Sequence, residues 1–370
     1  MNEWKTVRLG DVCELIMGTS PEGNTISDNP SNGIEFHQGK TFFGKVFLNE
    51  SKIYTSAPSR FANAGNVIMS VRAPVGDSNI TQRRIAIGRG LCTFNLKDDF
   101  EKFYLFYFLN SKIEYLQSKS TGSTFKAVNK DAISDLQIPL PPLEEQKHIA
   151  AVLDKCTALI AKHKQMLEKY DTLIKSRFIE MFGNPQCISN NWEVKPLSDY
   201  CIVNPKKSEL GPIPDDYELS FIPMQSVSEN GDVDTSSIKH YKDVKTGFTY
   251  FRENDVLFAK ITPCMENGKG GVARNLKNQI GFGSTEFHVL RPIETISNSE
   301  WIYRLTTFKT FRKDAENNMT GSAGQRRTPK EFFDKYKVGL PPIELQNEFS
   351  TFVQQIDKSK FEYTYTGVAA

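Results

Sequence analysis

WKTVRLGDVC at Trp4–Cys13 and WEVKPLSDYC at Trp192–Cys201 carry Trp, Leu, Asp and Cys in the same places, 188 residues apart. Further on, Thr121-Gly122-Ser123 returns as Thr320-Gly321-Ser322 at a spacing of 199. Leu140-Pro141-Pro142-Leu143-Glu144-Glu145-Gln146 then returns as Leu340-Pro341-Pro342-Ile343-Glu344-Leu345-Gln346 at a spacing of 200. The drift places about a dozen additional residues in loops of the second copy. A period of about 190 residues is too long for a solenoid unit and fits a whole domain. Two copies of one domain imply pseudo-two-fold symmetry, which suits a target with two halves, DNA above all.

The 370 residues are enough for two substantial cores. A charged fraction of 24% marks a folded, water-soluble chain. A net charge of +2 argues against a purely electrostatic hold on nucleic acid, although local basic stripes stay compatible with it. The six cysteines are scattered with no C-x-x-C pair, and Cys13 and Cys201 occupy matched places, so each reads as a small buried residue in a reducing compartment. No apolar signal core or membrane-length run is present, and a cytoplasmic protein is expected.

Short apolar runs ended by turn residues describe an α+β unit in each copy. Asn66–Val71 reads as a strand closed by a turn at Ala73–Asp77, matched by Asp255–Lys260 closed by Thr262-Pro263. The aromatic run Phe103–Leu109 reads as a buried helix, matched by Trp301–Phe308. Between the copies, Glu144–Met181 contains neither Gly nor Pro. Val152, Leu159, Met166 and Leu173 recur every seven residues there, as do Leu153, Ile160, Leu167, Ile174 and Met181. That heptad pattern predicts one helix of roughly 57 Å packed on a partner helix. Pro141-Pro142 set its start and Gly183-Asn184-Pro185 its end. The matching helix after Pro342 should stop near Phe361, because Tyr363-Thr364-Tyr365-Thr366-Gly367 is poor helix material. The divisions expected are 1–143, 144–183, 184–343, 344–361 and an irregular tail, 362–370.

Catalytic motifs are not legible. Gly18 and Gly23 have phosphate-loop spacing, but Asn24 and Thr25 follow where lysine is required. Gly281-Phe282-Gly283 lacks the third glycine of a dinucleotide fingerprint, and the five histidines show no metal-ligand spacing. The Asn-Pro pairs lack the second Pro and aromatic of an amino-methyltransferase motif. No catalytic constellation rises above chance, and no metal or cofactor is expected.

Two α+β copies, each ending in I/V-x-L-P-P-L/I-E-x-Q and feeding a heptad helix, resemble the specificity subunit of type I restriction–modification systems. Ser220-Phe221-Ile222-Pro223-Met224 with Val227–Gly231, and the strand ends Ile68–Arg72 and Val256–Lys260, are similar to that family's target-recognition domains. The resemblance runs from the N-terminus to about Phe361. It implies two target-recognition domains of α/β character joined by coiled-coil-type helices, each binding one half of a split, asymmetric double-stranded DNA site. It also implies a non-enzymatic chain on which two modification subunits, which methylate adenine with S-adenosylmethionine, and ATP-driven restriction subunits assemble. A shortened second helix departs from the family pattern and implies a seam open to self-association. Two other classes compete: a fused catalytic restriction enzyme, and a coiled-coil adaptor that binds only proteins.

Candidate DNA contacts follow from residue type. Gln82-Arg83-Arg84 and Gln325-Arg326-Arg327 join the two side chains that pair bidentately with adenine and guanine, and stand equally well as exposed basic turns. The loops Thr121-Gly122-Ser123 with Lys126, and Gly321-Ser322, offer small residues that let a backbone approach phosphate; the second precedes a helix expected to start at Pro329 with a Thr328–Glu331 capping box. Arg72 and Lys260 end matched strands, and Lys269 and Arg274 flank a glycine pair; each is a phosphate contact or a solvated surface cation.

Overall fold

The computed structural model describes residues 4–120, 127–184, 192–322 and 324–366, with side chains described as far as residue 360. The chain divides into two compact units, Met1–Lys162 and His163–Ala370.

In unit 1, Thr6–Arg8 pairs with Gln137–Pro139, closing the ends of the first copy on each other. A four-stranded sheet follows in the order Cys13–Met17, Leu91–Leu96, Val67–Ser70, Ser78–Ile80. A second sheet runs Ile26–Ser27, Tyr54–Thr55, Ile34–His37, Ile85–Ile87, Phe61–Ala62, with Ile34–His37 parallel to Ile85–Ile87. Unit 2 repeats the plan. Val194–Pro196 pairs with Lys337–Gly339, and one sheet runs Cys201–Val203, Phe287–Pro292, Val256–Ala259, Gly270–Val272. The other runs Ile238–His240, Glu218–Ile222, Ile280–Gly283, Thr249–Arg252, with the same parallel pair at its centre. The expected strands are therefore present as Val67–Ser70 and Val256–Ala259, wholly buried at every position. The expected helices are Lys102–Ser111 and Ser299–Thr307. Cys13 and Cys201 are buried at matched places, each Sγ donating to a carbonyl four residues back.

The repeated Leu-Pro-Pro segment has a structural reason at its glutamine. Gln146 is fully buried; its Nε2 donates to the carbonyls of Pro141 (2.9 Å) and Asp99 (3.2 Å), and its Oε1 accepts from Glu101 N–H (2.9 Å). Gln346 repeats the set with Pro341 (2.9 Å), Ile296 (3.0 Å) and Asn298 N–H (3.0 Å). Glu101 and Asn298 are the N-caps of the helices Lys102–Ser111 and Ser299–Thr307. One amide thus ties the first turn of a long helix to the start of the helix buried beside it, satisfying backbone groups that burial would otherwise strand.

The first long helix spans Leu143–Phe182, and Gly183 at φ 77° caps it by donating to Ile179 O. Its last turns, within unit 2, bury Ile174, Phe178 and Phe182 against Phe349 and Val353 of the C-terminal helix. Arg177–Glu348 (3.1 Å) and Lys360–Asp171 (2.7 Å) order the pair antiparallel. The seam between them is partial. Val152, Leu153, Leu159, Ile160, Leu167 and Leu173 remain exposed, Ile160 at 70%.

Two expectations are corrected. The C-terminal helix runs Ile343–Thr366, past the expected stop near Phe361. The Tyr-Thr alternation costs only tenths of a kcal/mol per residue, and adding a turn to an existing helix is far easier than starting one. The short helix after Thr328 begins at Glu331 with Lys330 as its cap, so the Thr328–Glu331 capping box does not form. Thr328 N–H instead donates to Lys260 O, extending the strand pairing.

Candidate nucleic-acid interface

In unit 2 the central strand Val256–Ala259 continues into Lys260-Ile261-Thr262, which pairs with Arg326-Arg327-Thr328. Thr262 N–H donates to Arg326 O (3.0 Å) and Thr328 N–H to Lys260 O (2.9 Å). Arg327 also exchanges two hydrogen bonds with Thr320 (2.8 and 3.0 Å), which turns 320–327 into an exposed hairpin with Gly321 at φ 116° and Gly324 at φ 81°. Only glycine adopts such angles without strain. Gly321, Ser322 and Gln325 are exposed at the tip. Lys269 joins the same strand end, since its carbonyl accepts from Ala259 N–H (3.2 Å). The fold therefore gathers Lys260, Lys269, Gly321, Ser322, Gln325, Arg326 and Arg327, which the sequence offered in three separate pieces.

Their side chains divide into anchors and free groups. Arg327 grips Glu286 bidentately (2.9 and 2.8 Å) and also donates to Gln325 O (3.0 Å), so its fork shapes the loop. Hydrogen bonds from Arg327 hold the Glu286 carboxyl below the usual carboxylate range. Burial presses the Lys260 ammonium below its ordinary range, against the pull of Glu286. Arg326 makes only long contacts, 3.9 Å to Glu316 and 3.9 Å to Met319 Sδ, and its side chain stays part-exposed. Lys269 Nζ reaches Met224 O at 3.4 Å. Beneath the loop, His288 accepts from Asn204 (3.0 Å) and donates to Thr328 O (2.8 Å); burial lowers its pKa to about 4 and keeps it neutral. Arg312, also buried, donates to the carbonyls of Thr306, Met265 and Gly268, fixing the turn between Lys260 and Lys269. Arg274 sits elsewhere. It pairs at 2.7 Å with the buried Glu300, beside the opposite end of the strand, and neutralising that acid occupies it.

Lys260 also lines an open cleft of about 500 Å³ with Asn204, Lys207, Lys245, Phe248 and Tyr250. Lys207 Nζ donates to Lys245 O (2.5 Å), and Lys245 pairs with Asp215 (2.9 Å) at the surface. None of these but Lys260 was singled out from sequence. Pro205-Lys206-Lys207 was the signal available, and 38 residues separate Lys207 from Lys245.

In unit 1, Arg72 forms a bridge with Ala127, and Val128 N–H donates to Val71 O (3.0 Å), the counterpart of the Ile261–Arg327 pairing. Arg72 is exposed and makes no ion pair among the described residues. Thr121, Gly122, Ser123 and Lys126 lie outside the described residues. Gln82, Arg83 and Arg84 lie at the far end of the central strand, where Thr81 exchanges hydrogen bonds with Gly65 and Asn66, so the fold separates them from Arg72. Gln82 is exposed, and Arg84 lies over the Phe61 ring at 4.2 Å with its polar edge outward. Arg83 is committed inward. It binds Glu35 at 2.5 and 2.6 Å and the carbonyls of Leu48 and Asn49. Burial would lift the Glu35 carboxyl; Arg83, the Ser51 N–H and His37 outweigh it and bring it to about 2.

Comparisons with known proteins agree with this duplicated plan. The chain is 43% identical over 193 residues to the type I restriction enzyme EcoAI specificity subunit of Escherichia coli, covering 50% of this chain and 32% of that one. It thus spans about a third of the length of that relative. Against the MjaIX specificity subunit of Methanocaldococcus jannaschii the identity is 24%, over 96% of this chain and 87% of the other. A crystal structure of a type I restriction-modification S subunit from M. genitalium matches at a TM-score of 0.53 and 16% identity, covering 98% and 91% of the two chains, a likeness of fold. The model of the type I restriction modification DNA specificity domain matches residues 1–169 and again 189–366. With one match on each copy of the repeat, the chain belongs to the type I restriction modification DNA specificity family.

Proposed function

We propose that this protein is the DNA specificity subunit of a type I restriction–modification complex, binding a bipartite double-stranded site with one half-site on each copy. The observation that carries the reading is the repeated strand extension. Val71–Val128 in one copy and Lys260–Thr328 in the other use the same pairing to extend the central strand, and in the second copy that pairing carries the 320–327 hairpin of small and basic residues. Arg326, Lys260 and Lys269, with the lysines of the adjoining cleft, supply phosphate and base-edge contacts in the second copy, and Arg72, Gln82 and Arg84 supply them in the first. Arg83, Arg274 and Arg327 position neighbouring groups. Thr121, Gly122, Ser123 and Lys126 stay within the proposal on their sequence match to the 320–327 hairpin.

Chemistry falls to partner chains in this reading. The exposed seam from Val152 to Leu173 is the docking face for modification subunits, restriction subunits join through them, and the complex works in the cytoplasm. No helix among the described residues is long and apolar enough to cross a membrane. Sequencing the methylated bases of the host with and without the gene tests the function. Loss of a single split motif is expected. An unchanged methylation pattern, with no salt-dependent DNA binding by the purified chain, would leave the protein-only adaptor as the better description.

A further inference from the structure

The lysine-lined cleft of the second copy ends in an apolar knob. Phe248 follows Gly247 (φ 80°) at the turn into Thr249–Arg252 and is 38% exposed, among the few large apolar side chains of unit 2 left in water. Its ring meets Phe221 edge-on, with centroids 5.0 Å apart and planes at 88°. Lys239 lies on the neighbouring strand, opposite Leu219, and its Nζ sits 3.8 Å from the Phe221 ring centre and 5.9 Å from that of Phe248. The adjoining core is built on Leu219, Val244, Tyr250 and Phe282, with Phe221 packed against it, and Phe248 is not among its members.

On a surface that meets DNA, an exposed ring has two apolar counterparts: the face of an unstacked base, and the C5-methyl of thymine in the major groove. Phe248 is braced on one side by Phe221, and insertion would forfeit that packing. A fixed ring edge raised among lysines that hold the phosphates suits the methyl group. The knob belongs to one copy only. Tyr250 opposes Phe282 as Phe61 opposes Ala86, and this register places Ser59 where the second copy has Phe248.

We propose that Phe248, braced by Phe221 and Lys239, contacts a thymine methyl group in the half-site bound by the second copy; this rests on the DNA-reading function proposed above. The test replaces each thymine of that half-site, on either strand, with uracil, which removes the methyl alone. Binding by the full chain is then followed by fluorescence anisotropy. One uracil should weaken binding about 4-fold, the worth of one buried methyl group. Phe248→Ala should weaken binding to the thymine site by a similar factor and make the chain indifferent to that uracil. Uracils in the other half-site should affect native and variant chains alike. A native chain that binds the whole uracil series as tightly as the thymine site overturns the proposal while leaving DNA recognition standing, and so does a half-site of G·C pairs alone. A chain with no salt-dependent DNA binding overturns both. Phe248→Ser, the residue that the first copy carries at the matched place, is run beside Phe248→Ala so that one poorly folded variant does not block the test, and a folded variant that keeps the native chain's uracil sensitivity overturns the proposal.

Discussion

At the scale of single residues, neighbouring arginines of the same hairpin have opposite duties. Arg327 spends its fork on Glu286 and Gln325 O, whereas Arg326 has no side-chain partner closer than 3.9 Å among the described residues. Arg326→Ala should therefore cost about 1–3 kcal/mol of specific binding, with unchanged thermal stability, if it pairs with a base. Arg327→Ala should instead lower the melting temperature of unit 2 and expose the hairpin to protease. His288 supplies a pH dependence. Its folded pKa of about 4 lies below the ordinary histidine value of 6.5, so its contribution is complete above pH 6.5 and is lost as pH falls toward 4. The loss should approach about 3 kcal/mol, and His288→Gln should flatten that part of the stability profile, measured by denaturant titration at pH 7 and pH 4.5. Sequence could not sort these roles. Gln82-Arg83-Arg84 and Gln325-Arg326-Arg327 look alike as letters, but Arg83's acid lies 48 residues away and Arg327's 41. No local pattern reveals a partner brought in by tertiary pairing.

At the scale of elements, periodicity made the long helix legible, and the repeated Leu-Pro-Pro made its joint legible. The seven-residue step fixed the helix to within a residue at either end, since a Pro pair and a Gly bound it. The second helix ends beyond the point that local propensity sets, because the turns before it carry it through the Tyr-Thr alternation. Why the glutamine recurs was invisible until its three partners came together. Gln346→Leu should destabilise unit 2 by about 2–4 kcal/mol, because a buried N–H and two carbonyls lose their partner at once. Denaturant unfolding of the native and variant chains measures it. The exposed seam should behave oppositely. Ile160→Glu removes no buried contact, so stability should stay within about 0.5 kcal/mol while co-purification with a modification subunit is lost. Retained assembly would move the docking face elsewhere.

At the scale of the whole molecule, each copy carries its own sheets, core and terminal strand pair. Exchanging residues 4–138 for those of another family member should change one half of the methylated motif and leave the other half intact. Methylation sequencing of cells bearing the chimera is the measurement. A motif altered in both halves would mean that the copies do not read independently. The duplicated glutamine clamp extends this independence into heredity. Because both copies close on their helices through the same Leu-Pro-Pro and Gln, the gene holds two interchangeable crossover points. Recombination at either one replaces a reader whole while each hydrogen bond of the joint is rebuilt from the same glutamine and backbone groups at matched positions. A lineage can thus acquire a new target in a single genetic event, without passing through a chain that fails to fold.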